Sequence, residues 1–282
     1  MRNGVVMTRF TREDASRLGD VLTQVGRSEI LPRFFGRDFG QVSSKTSTFD
    51  IVTAADESAE TAISSALLKC YPHAVIIGEE GVGRTPGLLD RIETAELAFL
   101  VDPLDGTKNF AGGIPLFGMM IAATCRGEVV FSAIHDPVCR ETYFAIRDEG
   151  AWRRCEKGEE YPLRVAPAVP VSAMHCVVGT NFLPPALRAT VSANLSRVQL
   201  NFWMRCAATE YRMAATGECH ALCYNRLMPW DHAAGWLLHR EAGGYSAHFN
   251  GTPYRPSSLT GGLLCAPDQG SWRALNQALF HS

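Results

Sequence analysis

The segment of greatest chemical interest spans residues 102–110, DPLDGTKNF, and directly follows an apolar run. Its two carboxylates, Asp102 and Asp105, are separated by a proline and a leucine. Proline disfavours a helical residue before it and fixes its own φ, so we expect a sharp turn where a buried strand ends. Two neighbouring carboxylates repel unless a proton or cation lies between them, and Gly106 and Thr107 offer backbone N–H groups of the kind that hold phosphate. This segment predicts divalent-metal phosphate chemistry.

Further acidic residues lie at the ends of predicted strands or the starts of predicted helices. They are Glu79 and Glu80, Asp231, and the two aspartates of residues 50–56, DIVTAAD. Mg²⁺ prefers oxygen ligands and often bridges carboxylates to a substrate phosphate. Taken singly, Asp56 and Asp231 could be helix caps, and the two glutamates could be solvent-facing loop charges. Their combination favours a metal site built from several separate segments.

Hydrophobic spacing predicts the elements that must position these acids. Thr11 is expected to cap a first helix, and a second helix is predicted over residues 56–69. Short buried strands at 74–77 and 97–101 would deliver Glu79 and Asp102. The remaining predicted elements are an antiparallel meander over 116–153, a connection over 161–170, strands at 174–178 and 198–202, and helices at 185–196, 207–216 and 231–242, the last followed by a strand. This order predicts a layered α/β sandwich with a mixed, mostly antiparallel first half.

Composition limits the class of protein further. A chain of 282 residues that is 46% hydrophobic can bury a large core, as one domain or two closely joined lobes. The net charge of −2 and the scattered cations argue against nucleic acid as a partner. Nine cysteines without a CxxC pair favour reduced thiols, and no apolar run approaches the roughly 18 residues that a membrane helix needs. We therefore expect a soluble cytoplasmic protein without a signal peptide.

Three motifs together resemble the inositol monophosphatase family, within the lithium-sensitive, metal-dependent sugar-phosphatase superfamily. They are residues 78–80, GEE, residues 102–110, and residues 230–235, WDHAAG, in the family's order and approximate spacing. Lys45 together with residues 50–56 fits the family's upstream segment. The long DPxDGT pattern is the specific part, and the resemblance covers most of the chain.

The resemblance implies a fold as well as a function. The expected fold class is α/β (α+β), a layered α-β-α-β-α sandwich of the inositol monophosphatase and fructose-1,6-bisphosphatase type. Residues 1–282 would form a single domain. An N-terminal lobe over about 1–160 would carry most metal ligands, and a C-terminal lobe over about 161–282 would carry Asp231 and the residues of substrate specificity.

The resemblance also implies two Mg²⁺ ions that share one ligand. Glu79, Asp102 and the backbone carbonyl of Leu104 would bind the first ion. Asp102, Asp105 and Asp231 would bind the second.

A weaker third ion, where present, would lie near Glu79 and Asp56. The catalytic residues implied are Asp56, Glu79 and Thr107, with the Thr107 hydroxyl and Asp56 orienting or deprotonating the attacking water. Phosphate and substrate binding would involve Gly106, Thr107, Asp105 and Asp231. In-line attack on phosphorus would follow, with no covalent phosphoenzyme.

The sequence departs from the family's pattern where substrate would be read. Arg205 and Cys206 replace a Gly-Thr/Ser pair, and residues 224–226, YNR, lack the usual acid. Arg205 or Arg226 would suit a second negative charge or a different alcohol, although each could equally be a surface charge. Inositol 1-phosphate is the default substrate. Histidinol phosphate, fructose 1,6-bisphosphate and 3′-phosphoadenosine 5′-phosphate are the alternatives.

Two further expectations rest on the resemblance, namely a homodimer and inhibition by Li⁺. A second class of function stays open beside catalysis. In that interpretation the chain is a non-catalytic binding module that keeps the fold for partner or RNA-associated work. Because such a module need not bind Mg²⁺ at millimolar levels, metal titration separates the two.

Overall fold

The structure, a computed structural model, describes residues 9–35, 43–44, 51–52 and 54–281. Lys45 and Asp50, which the sequence analysis assigned to the upstream segment, lie outside the described residues. Strands β1 (Ser43–Ser44) and β2 (Ile51–Val52) form a short antiparallel pair.

Seven strands form the larger sheet, in the order β3-β4-β5-β6-β7-β8-β9. Strands β3 and β4 are parallel, and every later pair is antiparallel, which confirms the predicted mixed, mostly antiparallel first half. The strands are β3 (Val75–Gly78), β4 (Ala98–Asp105), β5 (Gly118–Cys125), β6 (Glu128–Asp136), β7 (Glu141–Ile146), β8 (Gly150–Arg154) and β9 (Glu160–Pro162). Because β9 pairs with β8, the predicted connection over 161–170 begins two residues too early.

Five strands form the second sheet, in the order β11-β10-β12-β14-β13. Strand β10 runs parallel to both β11 and β12, whereas β14 is antiparallel to its two neighbours. The strands are β10 (His175–Val178), β11 (Leu200–Phe202), β12 (Ala221–Tyr224), β13 (Tyr245–Ala247) and β14 (Leu263–Ala266). Hydrophobic patterning predicts β10, β11 and β13 but not β12 or β14.

The helices fall close to the predicted segments. They are α1 (Arg12–Val25), which continues through a π-helical turn (Gly26–Ile30) into α2 (Leu31–Phe35), then α3 (Ala54–Cys70), α4 (Glu79–Arg84), α5 (Arg91–Thr94), α6 (Thr107–Ala111), α7 (Pro185–Asn194), α8 (Ala207–Ala215), α9 (Pro229–Glu241) and α10 (Gln269–Phe280). Thr11 caps α1 as predicted, since its hydroxyl accepts from the Asp14 N–H at 3.2 Å. Hydrophobic spacing did not predict the short helices α2, α4, α5 and α6, nor α10.

Side chains along each strand alternate between the two faces of the sheet, so the five layers enclose three apolar cores. The middle core surrounds α8 and α9 and reaches both sheets. In β4, Phe99 faces the core shared with α1 and α3, whereas Leu100 faces the core shared with α8 and α9. In β12, Leu222 faces that second core, whereas Cys223 packs towards α7 and α10. The order of layers is therefore α-β-α-β-α, as expected. The division into lobes at about residue 160 stays a prediction.

None of the helices in the described ranges combines the length and the apolar character needed to cross a membrane. All nine cysteines are free thiols, as expected for reduced residues.

Helices α8 and α9 form the layer that both sheets share, and they pack closely at a glycine. A Cβ built on Gly235 would lie 2.0 Å from the ring of Tyr211, which is fully buried. The same ring's hydroxyl lies 3.2 Å from Nδ1 of His232. This contact fixes the distance of α9 from α8, and α9 carries Asp231 in its first turn.

We expect Gly235→Ala to lower the free energy of unfolding by about 2–3 kcal/mol, because the added methyl group overlaps a buried ring that has nowhere to move. Urea unfolding would measure the change. Gly87→Ala is the matched control, because a Cβ there meets no atom within 4 Å. Equal midpoints for the two variants would contradict the close packing of α8 on α9.

Candidate active site

The two carboxylates of residues 102–110 share one face of the sheet because the pairing of β4 with β5 is irregular. Asp102 pairs with Met120, and Asp105 pairs with Gly118. Strand β4 thus advances three residues while β5 advances two, which is the extra residue of a β-bulge. In a regular strand, residues three apart point to opposite faces. The predicted sharp turn at Asp102 is therefore wrong, because strand β4 continues to Asp105. The bulge instead turns the Asp105 carboxylate to the same face of the sheet as that of Asp102.

Glu79 reaches Asp102 through the one parallel pairing of the larger sheet. Gly78, the last residue of β3, is in register with Val101 of β4, so the next residue on each chain segment, Glu79 and Asp102, lies side by side with the other. Glu79 is the first residue of α4. A Cβ on Gly78 would lie 2.3 Å from the Glu60 carboxylate, so a larger residue here would displace that carboxylate.

Asp231 joins Glu79 and Asp102 from the helical layer between the sheets, because it lies in the first turn of α9. One oxygen each from Glu79, Asp102 and Asp231 lie within 4.8 Å of one another. Among the described residues, this is the group of three or more His, Cys, Asp or Glu side chains whose ligand atoms are close enough to hold a metal ion. Asp105 lies beside it, and its Oδ2 accepts from the Ala208 N–H at 2.5 Å and from the Cys206 thiol at 3.2 Å.

Burial and mutual repulsion disfavour ionisation of the carboxyl groups in this cluster. Burial raises the pKa of Asp102 well above its usual range, and repulsion by Glu79, Asp105 and Asp231 raises it further. Burial is also the main cause that raises the pKa of Asp231 well above its usual range. For Asp105 burial raises the pKa to about 6, against hydrogen bonds from Ala208, Cys206 and Gly106 that lower it. Protons or a cation must therefore neutralise the cluster.

The donor set fits Mg²⁺. It consists of hard oxygen atoms from carboxylates, and the carbonyl of Leu104 lies in the same segment between Asp102 and Asp105. Asp102 Oδ1 accepts from the Leu104 N–H at 3.0 Å, and this bond holds the backbone of residues 102–104 beside the carboxylates.

Thr107 and Asp56 meet as the resemblance implied, although they come from different layers. The Thr107 hydroxyl lies 3.3 Å from Asp56 Oδ1 and 3.0 Å from the Leu104 carbonyl oxygen. Gly106, which precedes Thr107, has a φ of 88°, and a Cβ there would lie 2.8 Å from the carbonyl oxygen of Leu116. Only glycine fits this position, for both reasons.

The plainer interpretations of three acids are wrong. Asp56 is the third residue of α3 and is buried, so it is not the residue that caps that helix. Asp231 is likewise the third residue of α9, whose N-cap position is Met228. Glu80 is 6% exposed rather than facing solvent.

Sequence reasoning missed Glu60, which holds the Glu79 segment in place. Its carboxylate accepts from the N–H groups of Glu80 and Gly81, at 2.8 Å each. Glu60 is 5% exposed, and its pKa is raised mainly by burial. A signal was present, because Glu60 lies four residues after Asp56 and so on the same face of α3.

Comparison with known proteins agrees with the geometry. The model of the inositol monophosphatase family matches residues 15–281. A relative named Nus factor SuhB, from Pasteurella multocida, is 34% identical over 234 residues, covering 82% of each chain. An inositol-1-monophosphatase from Rhizobium meliloti is 33% identical over 238 residues, covering 80% of this chain and 85% of that one.

Among solved structures, the extragenic suppressor protein suhB from Bartonella henselae superposes with a TM-score of 0.81 at 26% identity. The match covers 94% of this chain and 97% of that one. A buried cluster of carboxylates is suited to divalent-metal chemistry on phosphate esters. The chain belongs to the inositol monophosphatase family, and with it to a phosphatase superfamily.

We expect Glu60→Gln to weaken Mg²⁺ binding by about 10-fold, because one of the two backbone N–H groups that fix the Glu79 segment loses its carboxylate acceptor. Calorimetric titration with Mg²⁺ would measure the change. Glu57→Gln is the matched control, since Glu57 lies on the same helix but is exposed. If both variants bound Mg²⁺ as the wild type does, Glu60 would not position the site.

Without divalent cations, stability is expected to fall as pH rises from about 4 to about 6, because Asp105 stays protonated in the folded state up to about 6 while its unfolded form ionises near 3.8. The raised pKa values of Asp102 and Asp231 act in the same direction.

Mg²⁺ should therefore raise Tm more at about pH 8 than at about pH 5, where it competes with protons. Thermal melts with MgCl₂, or with KCl at equal ionic strength as the control, would measure this. A Mg²⁺ effect that is independent of pH would mean that these carboxylates do not bind the ion.

Proposed function

We propose that the chain is a Mg²⁺-dependent phosphomonoesterase that hydrolyses a small polyol or sugar-like phosphate, with inositol 1-phosphate as the default substrate. The observation that carries this proposal is the meeting of Glu79, Asp102 and Asp231 within 4.8 Å, in a buried site of mutually repelling carboxylates. Membership of the inositol monophosphatase family and the relative from Rhizobium meliloti named inositol-1-monophosphatase support it.

Two Mg²⁺ ions would be held in this proposal. Glu79, Asp102 and the Leu104 carbonyl would hold the first ion, and Asp102, Asp105 and Asp231 would hold the second. A third, weaker ion would lie near Glu79 and Asp56. When bound, Mg²⁺ supplies positive charge for the phosphoryl and leaving oxygens and lowers the pKa of water.

The Thr107 hydroxyl and the Asp56 carboxylate orient the water that attacks phosphorus. Their separation of 3.3 Å supports this pairing. As the water oxygen bonds to phosphorus, the bond from phosphorus to the alcohol oxygen breaks. Asp56 accepts the proton that the water loses, and the leaving alcohol oxygen takes a proton from solvent, so charge and protons balance.

The N–H groups of Gly106 and Thr107 would bind the phosphoryl oxygens. The left-handed φ of Gly106 places its N–H and that of Thr107 at the turn between β4 and α6, next to Asp105.

The finer features proposed with this function are a homodimer, inhibition by Li⁺ and a cytoplasmic location. Histidinol phosphate, fructose 1,6-bisphosphate and 3′-phosphoadenosine 5′-phosphate remain the alternative substrates. The relative named Nus factor SuhB favours a second candidate, a binding module that keeps the fold, alone or alongside catalysis.

Asp102→Asn should lower Mg²⁺-dependent phosphate release at least about 100-fold, because it removes charge from the ligand that both ions would share. Release would be measured from inositol 1-phosphate and the three alternative substrates, with and without Mg²⁺ and with added Li⁺. Asp90→Asn, at an exposed aspartate, is the control.

A folded, fully active Asp102→Asn variant would contradict the mechanism. A wild-type protein that binds no Mg²⁺ at millimolar levels and releases no phosphate would favour the binding module instead.

A further inference from the structure

A cleft of about 500 Å³ lies at the carboxyl end of α9, at the opposite end of this helix from Asp231. Its wall consists of the end of α9, strand β8, the segment from β9 to Arg164, and the side chain of Arg12 at the start of α1. Glu241 follows Asp231 by ten residues, so the rise of an α-helix places the cleft about 15 Å from the carboxylate cluster. Small-molecule sites have volumes of this order.

The cleft has free space beside two glycines and an apolar part to its wall. A Cβ built on Gly150, the first residue of β8, would meet no atom within 4 Å, and the same holds for Gly243 just after α9. Ala151, Pro162 and Leu163 supply apolar surface. The cleft therefore has room for a ligand with an apolar portion.

Two backbone hydrogen bonds place Arg164 between β8 and the end of α9. The first runs from the Leu163 N–H to the Ala151 carbonyl oxygen at 2.9 Å. The second runs from the Val165 N–H to the Ala242 carbonyl oxygen at 3.1 Å. Arg164 is thus held within one residue of both bonds, which fixes its backbone beside the two walls.

Most charged groups of the cleft already have partners. Glu160 accepts from the Arg12 guanidinium at 3.2 Å and from the Trp152 indole N–H at 3.2 Å. The same guanidinium lies 3.4 Å over the Trp152 ring. Glu149 accepts from Arg9 at 3.0 Å. These pairs balance the charges of both glutamates and of Arg12.

Arg164 and Glu241 are the charges of the lining that remain. Among the described residues, the Arg164 guanidinium has no hydrogen bond and no ion pair. The Glu241 side chain is only 8% exposed, and its Oε2 accepts from the Gly150 N–H at 3.1 Å. Its Oε1 lies 3.6 Å from Arg240 Nε, beyond hydrogen-bonding distance, and the Arg240 guanidinium donates to Asp148 at 3.0 Å instead.

A half-partnered acid in this position favours a cation. Glu241 is the last residue of α9, and the carboxyl end of a helix carries partial negative charge that attracts cations. Burial adds to the cost of an uncompensated charge. Within the described ranges, no ion pair of 4.0 Å or less joins Glu241 to Arg164. A ligand that carries both an ammonium group and a carboxylate would therefore satisfy both side chains, whereas a simple cation or anion would satisfy one.

We propose that this cleft binds an α-amino acid with an apolar side chain. The ammonium group of the ligand would donate to Glu241 Oε1, and its carboxylate would accept from the Arg164 guanidinium. The apolar side chain would pack on Ala151 and Leu163. The assignment goes beyond the phosphatase function and does not depend on it, because no residue of the cleft belongs to the carboxylate cluster.

Calorimetry on the wild-type protein with matched compounds tests the assignment. L-Phenylalanine and L-leucine carry both charges. 2-Phenylethylamine and 3-methylbutylamine lack the carboxylate, whereas 3-phenylpropanoate and 4-methylpentanoate lack the ammonium group. We expect at least one of the two amino acids to bind about 10-fold or more tighter than both of its analogues, because each analogue loses one charge-assisted contact.

Two variants identify the groups that bind the ligand. Glu241→Gln keeps an acceptor for the Gly150 N–H but removes the charge, and it should raise Kd for the amino acid about 10–100-fold. Arg164→Gln should raise this Kd by a similar factor and leave binding of the matching amine unchanged, which a general loss of structure would not do. Glu57→Gln and Arg273→Gln, at exposed residues, are the matched controls and should bind the amino acid as the wild type does.

Three results would overturn the assignment. The first is that neither amino acid binds, and the second is that an amine or acid analogue binds as tightly as its parent amino acid. The third is unchanged binding in Glu241→Gln or Arg164→Gln, which would place the site elsewhere. Asp102→Asn should bind the amino acid as the wild type does, whatever its phosphatase activity. Loss of binding in that variant would place the ligand at the carboxylate cluster and not in this cleft.

Discussion

Repulsion between buried carboxylates is the constraint on which the rest of this structure depends. Asp102 is fully enclosed and has Glu79, Asp105 and Asp231 around it, and both burial and repulsion oppose its charge. Such a cluster is stable only with protons or a cation, and the fold must hold the acids together against their own repulsion. The irregular pairing of β4, its parallel neighbour β3 and the start of α9 supply that rigidity from three directions.

Close packing at two glycines helps to fix the positions of the acids. Gly78 leaves room for the Glu60 carboxylate, which fixes the backbone after Glu79. Gly235 lets α9 approach the ring of Tyr211, and α9 carries Asp231. A methyl group at Gly78 would overlap the Glu60 carboxylate, and one at Gly235 would overlap the Tyr211 ring. The acids are thus positioned by side chains outside the cluster. Tyr211 is uncharged, and Glu60 acts only through its hydrogen bonds with backbone N–H groups.

The two sheets contribute different parts of the site. The larger sheet provides Glu79, directly after β3, and Asp102 and Asp105 at the end of β4, whereas the second sheet provides the loop that leads from β12 to Asp231. Helices α8 and α9 lie between the sheets and link the parts, since α8 carries Glu210 and α9 carries Asp231. The buried Glu210 carboxylate accepts from the Met204 N–H at 2.9 Å and from the Tyr224 hydroxyl at 2.8 Å, so it joins the loop after β11 to the end of β12.

The sequence by itself determined most elements and the identity of the candidate acids, because hydrophobic period, capping residues and the DPLDGT motif are local properties. It did not reveal that Asp102 and Asp105 share a face, since that depends on a register shift against β5. It also missed two hydrogen bonds of buried carboxylates, from the Glu80 N–H to Glu60 and from the Tyr224 hydroxyl to Glu210, whose partners are 20 and 14 residues apart in the chain. Only tertiary structure decides which distant groups meet, because burial and repulsion act through space.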